Sequence, residues 1–267
     1  MKKILWLLLM ANYCLPAIAQ QVTGVLGAFP PEMALLQKQL ENRKDTSIQH
    51  ILFTKGTLSG RAVVLAQTGI GKVNAAITTT LLIEHFKPNE IIFSGIAGGI
   101  DTSLAPGDIV IATALAYHDY GILTDTGVLY GPSRNAINGQ FNPLFIACDS
   151  NLVKKAVLVA GKLIFAKQGR ETGAAIPLVK KGIIVTGDTF VSSELATERL
   201  RNRLHAAATE MEGAAIAQTC HQQNVPFLII RSLSDKANSS AKIDMIHFYE
   251  IAAKNAAMFV MAILGEL

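Results

Sequence analysis

From Val22 onward, short apolar runs alternate with longer stretches whose apolar positions recur at helical spacing. Val22 to Gly27 reads as a buried strand and Met33 to Glu41 as the helix after it. Ile51 to Lys55 and Ala62 to Gln67 form a hairpin pattern around Ser59-Gly60. Val73 to Phe86 is helical, Ile91 to Ser94 a short buried strand, and Asp108 to Tyr117 a longer one. The stretch from Tyr120 to Asn142 is rich in Gly, Asn, Ser and Pro and predicts a long loop. Asn151 to Phe165 returns to helix. Gly182 to Gly187 and Phe227 to Leu233 are strands separated by a helix over Met211 to Gln222, and Asp244 to Leu264 is a terminal helix. There is no linker and no internal repeat. The pattern predicts one α/β domain, a three-layer α/β/α sandwich with a mixed, mostly parallel central sheet.

The first 19 residues stand apart. Lys2 and Lys3 precede an apolar stretch from Ile4 to Ala11, and Ala17-Ile18-Ala19 offers a small-x-small cleavage site before Gln20. The apolar stretch is too short to span a bilayer. A cleaved secretory signal over 1–19 and a mature domain over 20–267 are expected, with a periplasmic or secreted destination and no membrane contact after cleavage. Without Lys2 and Lys3 the formal charge falls from +4 to +2, and the basic residues are scattered. Nothing in that balance calls for nucleic acid. The mature chain keeps Cys148 and Cys220, which allow either one disulfide or two buried thiols, and no Cys/His spacing suggests a metal site.

Chemistry concentrates at predicted strand ends, where open α/β sheets bind ligands. Glu210-Met211-Glu212-Gly213 and Arg231-Ser232-Leu233-Ser234-Asp235 place carboxylates there, able to hold sugar hydroxyls and protonate a leaving group. Each residue also has a plain reading. Glu212 suits a helix cap, Asp235 another cap, and Arg231 an ion-pair partner. Glu32 follows Pro30-Pro31, where it either favours a helix N-terminus or serves as a base for water. Gly95-Ile96-Ala97-Gly98-Gly99 reads as a tight strand-to-loop turn. Gly69-Ile70-Gly71-Lys72 lacks the spacing of a phosphate loop and reads as a helix start with Lys72 in solvent.

Taken in order, these blocks resemble the nucleoside phosphorylase/nucleosidase superfamily, and within it the bacterial 5′-methylthioadenosine/S-adenosylhomocysteine nucleosidases. The likeness runs from about Val22 to the C-terminus. It is carried by Gly24 to Ala28 with Glu32, Thr68 to Ala76, Ser94 to Gly99, Gly107 to Val110, Tyr117-His118-Asp119, Thr186 to Phe190, Glu210 to Ala217 and Arg231 to Asp235.

The resemblance implies a cofactor-free, metal-free homodimer acting on a small purine nucleoside. It implies that Asp235 protonates the purine N7 with Ser234 orienting it, that Glu212 accepts from the ribose hydroxyls, and that Met211 packs on the sugar. Glu32 and Arg231 would hold the attacking water. Phe190 would stack on the base, the Val191 backbone would read its edge, and Ile70 and Ile96 would line the pocket. Tyr117 and Tyr120 are candidates for closing a neighbour's 5′ pocket, with Met245 and Phe248 lining the same space. Phosphorylases of the superfamily carry an arginine in the loop after the first strand. Here that loop is Ala28-Phe29-Pro30-Pro31-Glu32-Met33, which favours water over phosphate. The sequence departs from the adenine-releasing pattern at Ile96, where a serine is usual, and in a longer 120–181 region. A phosphate-dependent phosphorylase and a non-catalytic nucleoside-binding or storage protein remain the rival readings.

Overall fold

Strand β1 (Val22–Gly27) lies at the heart of the sheet, with all but its first residue buried, between β4 (Arg61–Gln67) and β5 (Glu90–Gly99), both parallel to it. The computed structural model describes residues 21–162 and 177–267. The expected signal over 1–19 lies outside these residues, as does the end of the helix predicted to reach Phe165. The first helix, α1 (Pro30–Gln39), starts at the prolines rather than at Met33, because the first turn of a helix has no use for their missing N–H groups. Glu41, expected in that helix, instead opens β2 (Glu41–Ile48). This strand was absent from the hydrophobic pattern because it is a charged sheet edge, a composition that discourages edge-to-edge pairing. It pairs with β3 (Ile51–Leu58), which forms the expected antiparallel hairpin with β4.

After α2 (Lys72–Phe86), β5 runs through Gly99 and does not turn at Gly95. Those glycines make room for side chains of the neighbouring strand. Next come β6 (Ile109–Tyr117), a separate hairpin of β7 (Gly121–Thr124) and β8 (Gly127–Tyr130), β9 (Ile146–Ala147) and α3 (Ser150–Ala160). The predicted long loop over 120–142 therefore contains a hairpin, whose exposed apolar residues gave no alternating signal. The chain continues through β10 (Val179–Thr186), α4 (Glu194–Leu204), β11 (Ala206–Glu210), α5 (Gly213–Gln222), β12 (Phe227–Asp235) and α6 (Ala241–Leu264). The sequence pattern missed α4 and β11. The first is mostly polar with three buried residues, and the second is the alanine-rich segment Ala-Ala-Ala-Thr-Glu.

The strands form one ten-stranded sheet in the order β11-β10-β6-β12-β5-β1-β4-β3-β2, with β9 beside β6. It is mixed but parallel through its centre. The end of β11 also meets β5 in antiparallel fashion, Ala208 opposite Gly99 and Thr209 opposite Gly98, so this half of the sheet curls back on itself. Helices cover both faces. Met33 and Leu36 of α1, Leu152 of α3 and Phe259 of α6 pack with Ile92 and Ile230 on one side. Leu82 of α2 and Ile216, Ala217 and Cys220 of α5 pack with Phe93 and Ile229 on the other. Cys148 and Cys220 are free, buried thiols, and burial pushes Cys148 up to about 12. The disulfide alternative is thereby excluded.

Candidate active site

The carboxyl ends of β1, β4, β5, β10, β11 and β12 converge on a cavity of about 200 Å³. Its walls include Glu32, Ile70, Ile96, Phe190, Met211, Glu212, Ser234, Asp235 and Met245. Nine of the ten residues singled out from the sequence thus meet in one place or, for Arg231, directly behind it. Val191, the tenth, lines a smaller recess that shares Phe190, Met211 and Asp235 with the main cavity.

Arg231 organises the back wall. It extends from β12 toward the α2/α5 side, is 0% exposed, and lies with its guanidinium 3.8 Å from the centroid of the Phe93 ring. Nη2 donates to Glu210 through a very short contact and to Glu212 at 3.3 Å, while Nη1 reaches Glu32 at 3.5 Å. Burial opposes its charge, but the three carboxylates outweigh burial and raise its pKa. Such a buried cluster persists because its geometry repays desolvation; removing one partner exposes the full cost.

Glu32 sits in the first turn of α1 and is 1% exposed. Its carboxylate accepts from the amides of Ala28 and Ile96, the latter at 2.8 Å. Burial raises its pKa, against the pull of Arg231 and these amides. A carboxyl so placed is suited to take a proton from water. Ile96 puts an apolar side chain where the resemblance led us to expect a hydroxyl, yet its amide still grips Glu32.

Glu212 does not cap α5. It precedes the helix with Met211, and no capping bond comes from its side chain. Its Oε1 accepts from the Gly71 amide at 2.9 Å, which ties the Thr68–Gly71 loop to the site. Burial, and then the neighbouring Glu210 charge, push it up to about 8. Glu210 itself, given no role from the sequence although two residues before Glu212, accepts from the amides of Glu212 and Gly213 and from the Thr186 hydroxyl.

Asp235 projects from a register shift in β12 between Leu233 and Asp235, which turns Ser234 and Asp235 toward the cavity. Oδ2 accepts from Ser234 Oγ at 2.8 Å and Oδ1 from the Ala237 amide at 2.8 Å. Burial dominates these bonds and raises its pKa, which keeps a proton on the acid to higher pH. A β-carbon at Gly98 would lie 2.8 Å from Oδ1, so a larger residue there would push the carboxyl aside.

Lys72 is not in solvent. Its ammonium bonds both oxygens of Asp119 at 2.7 Å, lies 3.6 Å from Asp188 and sits over the Tyr117 ring. The Asp188 side chain in turn accepts from the Lys72 amide at 2.8 Å. This knot fixes the loop carrying Gly71 against the segment leading to Phe190. Tyr117 turns its hydroxyl to Ala214 and Gln218 and packs on Tyr120, and neither ring lines the cavity. Met245 does line it, Phe248 does not, and Phe29 lines the mouth beside Tyr249.

The profile of the Phosphorylase superfamily matches residues 22–265. The chain belongs to this superfamily. A 5′-methylthioadenosine/S-adenosylhomocysteine nucleosidase of Halalkalibacterium halodurans is 41% identical over 245 residues, 91% of this chain and 98% of that one. Among solved structures, the Neisseria meningitidis nucleosidase of that name in complex with methylthio-immucillin-A is 38% identical. It has a TM-score of 0.80 and covers 92% of this chain and 100% of its own. The Colwellia psychrerythraea counterpart in complex with adenine is 37% identical, with a TM-score of 0.79, and covers 93% of this chain and 96% of its own. Members of the superfamily thus share this fold across the whole described domain.

Proposed function

We propose that this chain hydrolyses the N-glycosidic bond of 5′-methylthioadenosine, S-adenosylhomocysteine or related purine nucleosides, releasing adenine and the free sugar. The observation that carries this reading is the charge of the cavity. Four acidic residues line it, Glu32, Glu210, Glu212 and Asp235, and no lysine or arginine does so among the described residues. The nearest cation, Arg231, is buried and already faces three carboxylates. Among the described residues no unpaired cation is left there to hold a phosphate anion, whereas a neutral, hydroxyl-rich nucleoside and water fit.

In this reading Asp235 donates its proton to N7 as the C1′–N9 bond breaks, so adenine departs neutral and the sugar gains oxocarbenium character. Glu32 takes a proton from the water that attacks C1′. Glu212 accepts from the ribose hydroxyls, Met211 packs on the sugar, and Phe190 covers the base. The chromatographic test is incubation with methylthioadenosine, S-adenosylhomocysteine, adenosine and inosine, with and without phosphate. Free base and free sugar without phosphate support the reading. Sugar 1-phosphate formed only with phosphate would move the chain to the phosphorylases, and no turnover would favour a binding or storage role.

Two further parts of this reading concern assembly and place. The protein acts as a homodimer, a reading supported by Ile70, Val73 and Ile77, all exposed around the start of α2, and by Leu123 on the β7–β8 hairpin; light scattering measures it. The protein is exported through residues 1–19, a reading supported by their charge and apolar pattern; N-terminal sequencing of the mature protein from cell fractions measures that.

A further inference from the structure

Glu210 is the tightest partner of Arg231, closer than either carboxylate assigned to the chemistry. Although Glu210 borders the cavity, four protein donors hold its carboxylate. Oε2 receives Arg231 Nη2, the Gly213 amide at 2.7 Å and the Glu212 amide at 3.1 Å, and Oε1 receives Thr186 Oγ1. Thr186 Oγ1 in turn accepts from the Ala214 amide at 2.8 Å. Glu210 and Thr186 together therefore satisfy the first amides of α5, the task that the Glu212 side chain leaves undone. A β-carbon at residue 213 would lie 3.1 Å from the Glu210 carboxyl, so the glycine there allows this close seating.

The consequence is a division of labour among three carboxylates around one guanidinium. Glu210 is held by four protein donors, three of them on Oε2. Glu32 and Glu212 keep long contacts to the same guanidinium, 3.5 and 3.3 Å, and both face the cavity. We propose that Glu210 is the positioning residue of this site: it anchors Arg231 and the start of α5, so that Glu32 and Glu212 remain free for water and ribose. The proposal rests on the nucleosidase reading for its kinetic test and on geometry alone for its structural one. Without the Glu210 charge, the guanidinium has only Glu32 and Glu212 to approach. It would then close on the two groups that must stay available. The burial of Glu212 beside the Glu210 charge agrees with this picture, since that charge raises the Glu212 pKa.

The test uses the full protein carrying Glu210→Gln, which keeps the shape and removes the charge. With methylthioadenosine, kcat is expected to fall roughly 10- to 100-fold, as for a reacting group misplaced by about an ångström, and KM to rise as Glu212 is drawn from the ribose. The acid-side limb of the pH profile is expected to move to lower pH by about one unit, because Glu32 and Glu212 gain an undivided cation. Thr186→Val removes a hydrogen bond of the same unit but keeps the charge. It is expected to lower Tm and leave the pH profile in place. A profile that does not move in Glu210→Gln, or one that moves equally in Thr186→Val, overturns the proposal. If Glu210→Gln fails to fold, Glu210→Asp draws the anchor back by one methylene with its charge intact, and kcat within twofold of the wild type then overturns the proposal. Should the wild type turn over no nucleoside, the nucleosidase reading fails and a crystal structure of Glu210→Gln decides this one. A guanidinium shifted toward Glu32 and Glu212 supports the proposal, and an unmoved one overturns it.

Discussion

Arg231 stands opposite Gly95 across the β5–β12 pair, and a β-carbon at Gly95 would come 1.7 Å from Nη1 and 2.3 Å from Glu32 Oε1. The glycine is the space in which the guanidinium and Glu32 meet. Gly95→Ala is expected to destabilise the fold by about 1–3 kcal/mol, the range of overpacked cores, and to cost most of the activity. Urea denaturation and steady-state kinetics on the same preparation measure both. Activity near the wild-type value would show that the pair can part without consequence.

Asp235→Asn keeps the bonds from Ala237 and the shape of the site but removes the proton that departs with the base. Turnover is expected to fall about 10²–10⁴-fold, while affinity for a non-hydrolysable nucleoside stays within a few fold. Because burial raises the Asp235 pKa, the wild type should lose activity as pH rises through it. That alkaline limb should vanish from the residual activity of the variant, and a limb unchanged in Asp235→Asn would assign it to another group.

Glu212 titrates at about 8 in the folded chain against an ordinary value of 4.5. Between those values the folded protein holds a proton that the unfolded chain has released, so stability falls as pH rises. The contribution is full below 4.5 and lost as pH passes 8. Glu32 and Asp235, also raised, act in the same sense. Tm should therefore decline across this window, and Glu212→Gln should make the decline shallower. Calorimetry at a series of pH values checks it, and parallel wild-type and variant curves would refute it.

The Lys72 knot is partly exposed, so its ion pairs contribute little to global stability, on the order of 1 kcal/mol or less. Its effect is local. Lys72→Met removes the ammonium's bonds to Asp119 and its approach to Asp188, and so loosens the hold between the Gly71 loop and the Phe190 segment, which the Lys72 amide alone then keeps through Asp188. We expect KM to rise several fold with kcat and Tm nearly unchanged, and a fall in kcat alone would contradict that account.

The alternation of apolar runs was enough to place β1, the β3–β4 hairpin, β6, β10 and β12, because each buries β-branched residues in the sheet. It was not enough for β2 or β11, where an edge position and a run of alanines erase the pattern. The acidic clusters were legible as chemistry, and they do meet. What the linear order concealed was the meaning of the glycines. Gly95 and Gly98 read as a tight turn in the sequence, yet in the fold each is a space for a charged side chain of another segment. Lys72 was misjudged for a related reason: its counter-ions lie 47 and 116 residues away. Glu210 stood in the acidic cluster without a role of its own, because its partners, Thr186 and Arg231, belong to strands on either side in sequence.

The contact between Glu32 and Arg231 joins positions 199 residues apart. Until β12 has been synthesised and has docked, the cavity lacks both the cation that balances Glu32, Glu210 and Glu212 and the acid that works the bond. A nascent chain is therefore chemically silent through most of its synthesis. A product cut short before β12 carries three carboxylates with nothing to neutralise them, which makes premature termination a folding failure before it is a catalytic one.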